Sequence, residues 1–541
     1  MRPIITALFL FVSFFGLAQK QNKADRQLMK NLKLHVQYLA SDVLEGRRAG
    51  SEGEQKAVDY IIAQYEAAGI QPMGTQGYLQ AFPINEGKKW GDNAFLKVNQ
   101  QSMDFGNDFF TVSTGSNGQF TTKSTLALEE AGQVWFKDVQ EVLEEQQSNP
   151  HFDLQDWIKS TTNSMKEKNA KALFLYNSGT LVDNIQFNKF DTSAALAIPV
   201  VYITKDGFKK FFNDALGTFD IDANLILVPQ IRTGKNVVAY IDNKAAHTVV
   251  LGAHVDHLGY NQDKNALDIN NDIRNGADDN ASGTAALIEL AKSLVKKAPK
   301  NNNYLIIHFS GEELGLLGSK YWLDHPTYSG NFNYMINMDM VGRYDTARKL
   351  TIGGYGTSSK WSEILSKTPT TLLTHYDSAG TGPSDHSSFY RKDMPVLFMF
   401  TGSHSDYHKA TDDWDKINYE GEKEIVRLLQ KIIKATDTYG KLDFLKTREQ
   451  SMGKSTKFTV SLGVMPDYAF TGTGVRIEGT SQGKLGEKLG LKPADVLLQV
   501  GDYKLMDVMS YMQALGKFKK GDKTILVVKR GTEEIKYDIQ F

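Results

Sequence analysis

The chain has 541 residues, more than one ordinary core can hold, so about two to four domains are expected. Its 41% hydrophobic and 23% charged residues lie in the range of soluble globular proteins, and a net charge of −1 with no long basic block argues against a nucleic-acid partner. There is no cysteine, which excludes disulfides and thiolate metal sites alike.

Arg2 precedes an apolar run over residues 4–15, and Gly16, Leu17 and Ala18 offer a signal-peptidase site before the polar Gln19 and Lys20. This predicts a signal peptide over residues 1–18 and a periplasmic or secreted protein. No cysteine follows the cleavage site to carry a lipid, and no later stretch has the roughly 18 consecutive apolar residues of a membrane span.

Residues 24–83 open with a helical pattern at Leu28, Leu32, Leu34, Val36 and Leu39. A second stripe at Ala57, Ile61, Ile62 and Tyr65 predicts another helix, with Gly69 as its C-cap. Over 84–235 short strand-like runs alternate with polar connections. KALFLYN (171–177) and AIPVVYIT (197–204) are predicted strands, and Lys205-Asp206-Gly207 a turn, so this block is expected to be an inserted β-rich domain.

From 236 to 445 the pattern becomes strand, loop, helix, repeated. NVVAYID, TVVLGAH, YLIIHFS, YMINMDMV, LTIGG and PVLFMF are predicted strands. ASGTAALIELAKSLVKK is a predicted helix with Leu287, Leu290, Ala291, Leu294 and Val295 on one face, and EELGLLGSKYWL is another. The alternation predicts an α/β domain whose mostly parallel mixed sheet is sandwiched by helices, with ligands at the carboxyl ends of the strands. Residues 446–541 are expected to form one further compact module.

Five potential metal ligands close or follow apolar runs in this α/β region: His254, Asp279, Glu313, Asp339 and His408. Two imidazoles and three carboxylates suit two zinc ions better than one, and paired metals sharing a carboxylate activate water and polarise a carbonyl. In His254-Val255-Asp256, one ring nitrogen could bind metal while the other is held by Asp256 or another neighbour; a surface loop is the alternative. Asp279 could cap the helix that follows it, or bridge two cations and reduce their repulsion. In Glu312-Glu313, Glu313 is assigned to metal and Glu312 to proton transfer. Asp339 is costly to bury unpaired, and Tyr407 beside His408 could donate to a developing oxyanion. Asp385-His386 stays outside the ligand set, with neighbouring, substrate-facing and structural roles open. His35, His151, His247, His257, His308, His325, His375 and His404 are read as core or surface residues.

The blocks GAHVDHLG, NGADDNASG, SGEELGLLGS, NMDMVGR, SDHSSF and YHKATDDWDKI, with YLASDVLEGRRAGSEGEQKAVDYI upstream, give the chain a resemblance to the co-catalytic di-zinc aminopeptidases. That family also holds glutamate carboxypeptidase II, glutaminyl cyclases and the transferrin receptor ectodomain. The resemblance implies a zinc exopeptidase-like fold and two zinc ions. One would be held by His254, Asp279 and Asp339, the other by Asp279, Glu313 and His408. It also implies Glu312 as general base, Asp256 as partner of His254, Tyr407 as oxyanion donor and a cis peptide after Asp279. The activity implied is hydrolysis of the N-terminal peptide bond of peptides by a zinc-bound hydroxide.

The insert resembles a protease-associated domain and the tail a PDZ domain. Ser461, Leu462, Gly463 and Val464 would form its carboxylate-binding loop, for a C-terminal peptide ligand. Two rival readings remain on the residues alone. A carboxypeptidase-like member would want an arginine patch near the site, with Arg343 a candidate, and a glutaminyl-cyclising member would use a single zinc, which the retention of all five ligands and Glu312 argues against. A non-catalytic scaffold would have lost ligands, whereas all five are present.

Overall fold

The computed structural model describes residues 23–447 and 460–541, apart from 113–114, 148, 150–151, 192–193, 264, 269–270, 298, 347–348, 467–472, 481–482 and 507. The signal peptide expected at 1–18 lies outside the described residues. Among the described residues no helix is long and apolar enough to cross a membrane. The chain divides into two compact units: Pro83–Arg232, and the remainder on either side of it.

The larger unit is built on a mixed sheet. Its strands are β1 (Gln71–Pro72), β2 (Leu79–Trp90), β3 (Leu227–Ile241), β4 (His247–His254), β5 (Asn302–Phe309), β6 (Phe332–Met338), β7 (Leu350–Gly353), β8 (Thr374–Tyr376) and β9 (Val396–Phe400). The spatial order is β1-β3-β5-β4-β6-β9-β7-β8, with β2 against β3. Strands β5, β4, β6 and β9 are mutually parallel, flanked by antiparallel β3 and β7. These four read as continuous apolar runs because both faces are covered. Four adjacent carboxyl ends therefore open on one edge of the sheet, where ligand sites of such sheets form.

Helix Lys23–Leu39 turns Leu28, Leu32, Val36 and Leu39 inward, but Leu34 of the predicted stripe is 51% exposed, because it falls off that face. Helix Glu52–Ala68 starts where Ser51 accepts the Glu54 N–H and ends at Gly69 in the left-handed region. Helix Gly283–Lys297 buries Leu287, Leu290, Ala291 and Leu294; Val295 lies outside that face and is half-exposed. The helix predicted from Glu312 begins only at Leu317 and runs to Asp324. Gly311, Gly315 and Leu316 all have positive φ, which breaks the first turn and leaves Glu312 and Glu313 on a loop.

Unit Pro83–Arg232 carries two four-stranded sheets. Strand Ala172–Tyr176 lies between Val134–Asp138 and Val200–Ile203. The turn predicted at Lys205-Asp206-Gly207 is instead the first turn of helix Lys205–Phe211. The Thr204 hydroxyl accepts the Gly207 N–H, and Phe211 and Phe212 are buried, so a cap and an apolar face outweigh the turn propensity of Asp and Gly.

The tail folds around Leu462, Val475, Ile477, Leu497, Val500 and Leu526. Its strands lie in the order Val464–Pro466, Val475–Thr480, Val496–Val500, Lys523–Arg530, Glu533–Gln540.

Candidate metal centre

The five predicted ligands converge at the carboxyl edge of the parallel strands. His254 is the last residue of β4, Asp339 follows β6, and Glu313 stands on the loop after β5. His408 stands on the loop after β9, and Asp279 in the kink Ala277–Ser282 that heads helix Gly283–Lys297. The peptide bond between Asp279 and Asn280 is cis, as the resemblance implied.

Asp279 Oδ1 lies 3.2 Å from His254 Nε2, which is itself 3.4 Å from Asp339 Oδ1. Asp279 Oδ2 lies 3.2 Å from His408 Nε2, which is 3.0 Å from Glu313 Oε2. One carboxylate thus presents its two oxygens to two separate imidazole–carboxylate pairs. Donors held at about 2.0–2.1 Å from a tetrahedral cation stand about 3.3–3.4 Å apart, close to these spacings. Asp339 Oδ1 is buried with no hydrogen-bond partner, as suits an atom that faces a cation. The residues present therefore fit a bound metal ion.

The electrostatics agree. Burial alone would depress His254 and His408, yet Asp339 and Glu312 around the first, and Glu313 and Asp279 around the second, hold both imidazoles well above their ordinary range. Burial would raise Asp279, but His254, His257 and His408 hold it well below the usual carboxylate range. Glu313, opposed by burial but facing His408, sits at about 2. Burial pushes Asp339 up. Such crowding of ionisable groups marks functional sites.

The residues around the ligands fix their aim. His254 Nδ1 is 3.1 Å from the Asp256 carbonyl and 3.7 Å from its carboxylate, so the backbone rather than the side chain is the nearer partner. Asp256 Oδ1 instead accepts the Glu312 N–H at 3.1 Å, tying the loop after β5 to the end of β4. His408 Nδ1 is 3.1 Å from the Asn265 carbonyl. The Tyr407 ring stacks on His408 with centroids 3.9 Å apart. Glu312, Asp279, Asp339, Tyr407 and His408 line one cavity with Met340, Phe398, Phe400 and Pro466. Asp385 is buried, which pushes its carboxyl up to about 7, and the His386 ring stacks on Phe398 with centroids 4.2 Å apart.

Three residues at the centre were not singled out from sequence. His257, read as a core or surface residue, places Nδ1 2.8 Å from Glu313 Oε1 and 3.8 Å from Asp279 Oδ2. Its ring lies against Gly276, where a Cβ would come within 2.5 Å of it at a φ of +55°. The His254-x-x-His257 spacing at a strand end is the signal that could have found it. Asp412 Oδ2 accepts the N–H groups of Asp278 and Asp279 at 2.9 and 3.1 Å. His404, also read as bland, places Nε2 3.2 Å from Asp278 Oδ2. Because His257 holds Glu313, His257→Ala is expected to weaken metal retention on the Glu313 side by about 10–100-fold, with His257→Asn restoring part of it. Metal per chain after dialysis against graded chelator reads this out; unchanged retention in His257→Ala would refute the role.

A largely buried set of imidazoles and carboxylates thus lies at the carboxyl edge of a mixed α/β sheet. Residues 236–433 match the model of peptidase family M28. Aminopeptidase YwaD of Bacillus subtilis (strain 168) is 28% identical over 273 residues, 46% of this chain and 54% of that sequence. Leucine aminopeptidase 2 of Trichophyton equinum is 28% identical over 201 residues, 35% of this chain and 38% of that sequence. The chain thus spans between about a third and about half of the length of these curated relatives. Among solved structures, the aminopeptidase from Aneurinibacillus sp. strain AM-1 is similar at 21% identity and a TM-score of 0.41, covering 78% of this chain and 97% of that one.

Proposed function

We propose that this chain is an exported di-zinc aminopeptidase that removes the N-terminal residue of peptides. The observation that carries the reading is the division of Asp279 between two imidazole–carboxylate pairs, each 3.2 Å from one of its oxygens. His254, Asp279 and Asp339 would hold one ion, and Asp279, Glu313 and His408 the other. When bound, two zinc ions supply Lewis acidity and lower the pKa of water. The protein's own groups then divide the remaining work. Glu312 takes a proton from the attacking water and passes it to the leaving amine nitrogen. The Tyr407 hydroxyl donates to the oxygen of the tetrahedral intermediate. Met340, Phe398 and Phe400 pack together beside Tyr407 as an apolar wall of the cavity, which suits a large apolar first side chain such as leucine and excludes water. The apolar run at 4–15 before Gly16, Leu17 and Ala18 supports export.

The carboxypeptidase-like alternative wants a guanidinium for the substrate carboxylate. Arg343 instead pairs with Asp406 at 2.7 Å, which disfavours that reading. Turnover of an N-terminal leucyl reporter and of a carboxyl-terminal reporter peptide tests the proposal. The leucyl reporter is expected to be cleaved, to lose cleavage on chelation and to regain it with added zinc. Cleavage of the carboxyl-terminal reporter alone, or leucyl cleavage that persists after the metal is removed, would overturn it.

A further inference from the structure

Pro466, from the tail, lines the same cavity as Glu312, Asp339, Tyr407 and His408. It ends the strand Val464–Pro466, which is the outermost strand of the tail sheet. Val475–Thr480 pairs with one side of it, and its other edge has no strand partner among the described residues. An unpaired edge is a template for an added strand.

Ser461, Leu462 and Gly463 immediately precede this strand. Gly463 is in the left-handed region at a φ of +66°, and a Cβ there would meet the Lys484 side chain at 2.2 Å, so the stem of the exposed Lys484 lies over this turn. The edge strand therefore has an ammonium-bearing residue at its beginning and the metal cavity at its end.

We infer that the tail anchors the carboxyl end of the peptide whose amino end lies in the metal cavity, and so acts as a length gauge for the substrate. The inference rests on the aminopeptidase reading. A peptide with its first residue in the cavity and its chain along Val464–Pro466 runs away from Pro466, antiparallel to that strand, which is the more stable pairing. Its carboxylate then arrives at the turn of Ser461, Leu462 and Gly463, beside Lys484. Three strand residues at about 3.3 Å each span roughly 10 Å, so the gauge suits substrates of about four to six residues.

The test uses the full chain and leucine-initiated peptides of graded length, each as free acid and as carboxamide. At five residues the acid is expected to exceed the amide in kcat/KM by roughly tenfold, the worth of one charge-assisted hydrogen bond. The difference should vanish for peptides too long for the gauge, and Lys484→Glu should reduce the acid-to-amide ratio toward one. Equal rates for acid and amide at every length, with leucine released from both, would overturn the gauge and leave the aminopeptidase reading intact. No release of leucine from any peptide or from the leucyl reporter would overturn both. An acid preference that survives Lys484→Glu unchanged would overturn the role of that turn.

Discussion

Glu312→Gln is expected to keep the metal content of the wild type and to lose about 10²–10⁴-fold in kcat. The side chain lines the cavity beside Asp279, Asp339 and His408 but belongs to neither group of converging ligand atoms, His254 with Asp279 and Asp339 or His257 with Asp279 and Glu313. The glutamine is nearly the same size and keeps the hydrogen-bonding backbone N–H that reaches Asp256. What it cannot do is accept a proton. Burial pushes the Glu312 carboxyl well above its ordinary range, opposed by His254 and reinforced by Asp339 and Glu313. Cations at the neighbouring ligands would draw it back down, toward the range where a carboxylate exchanges protons near neutrality. Metal analysis and steady-state kinetics on one preparation decide the matter. Turnover comparable to wild type would remove Glu312 from the chemistry, and loss of metal would make it a ligand.

Arg47→Met is expected to destabilise the larger unit by about 3–5 kcal/mol, the cost of removing one partner from a buried charged network. Arg47 is 1% exposed. Its guanidinium donates to the carbonyls of Val255 at 2.9 Å, Leu39 at 2.5 Å, Asn275 at 2.6 Å and Gly276 at 3.0 Å. One side chain thus fastens the residue after His254, the end of helix Lys23–Leu39 and the segment that leads into Asp279. Burial lowers its pKa to about 10, while Asp279, Asp256, Asp412 and Glu313 hold the charge in place. Methionine fills similar volume but leaves four carbonyls without a donor. Thermal unfolding should fall by roughly 5–15 °C, and Arg47→Lys should recover only part of this because an ammonium cannot fork to several carbonyls. A midpoint within about 2 °C of wild type would show that water replaces the guanidinium at little cost.

The parallel strands and the five side chains that converge at their carboxyl ends were legible because each lies in a short local pattern: an apolar run, then a residue type costly to leave there. Asp339 after YMINM is the plainest case. Local pattern failed where the deciding contact is remote. Arg47 sits in an exposed-looking polar stretch, and only the carbonyls of Val255, Asn275 and Gly276 reveal its burial. Asp412 is one of two adjacent aspartates, and nothing local says that it reaches Asp278 and Asp279. Leu34 and Val295 read as members of their helices' apolar stripes yet are exposed, because an apolar residue beside a helical stripe looks like part of it. Lys205-Asp206-Gly207 misled because glycine and aspartate favour turns in isolation, whereas Thr204 caps a helix there.

The five converging side chains lie on four neighbouring strand ends and one helix head, yet they enter the chain in the order His254, Asp279, Glu313, Asp339, His408. During synthesis the amino-terminal portions fold first, and pairings between distant segments come late. A nascent polypeptide that has passed Asp339 still lacks β9 and the imidazole that follows it. Completion of the five-residue cluster therefore waits until β9 and the loop that carries His408 have been made.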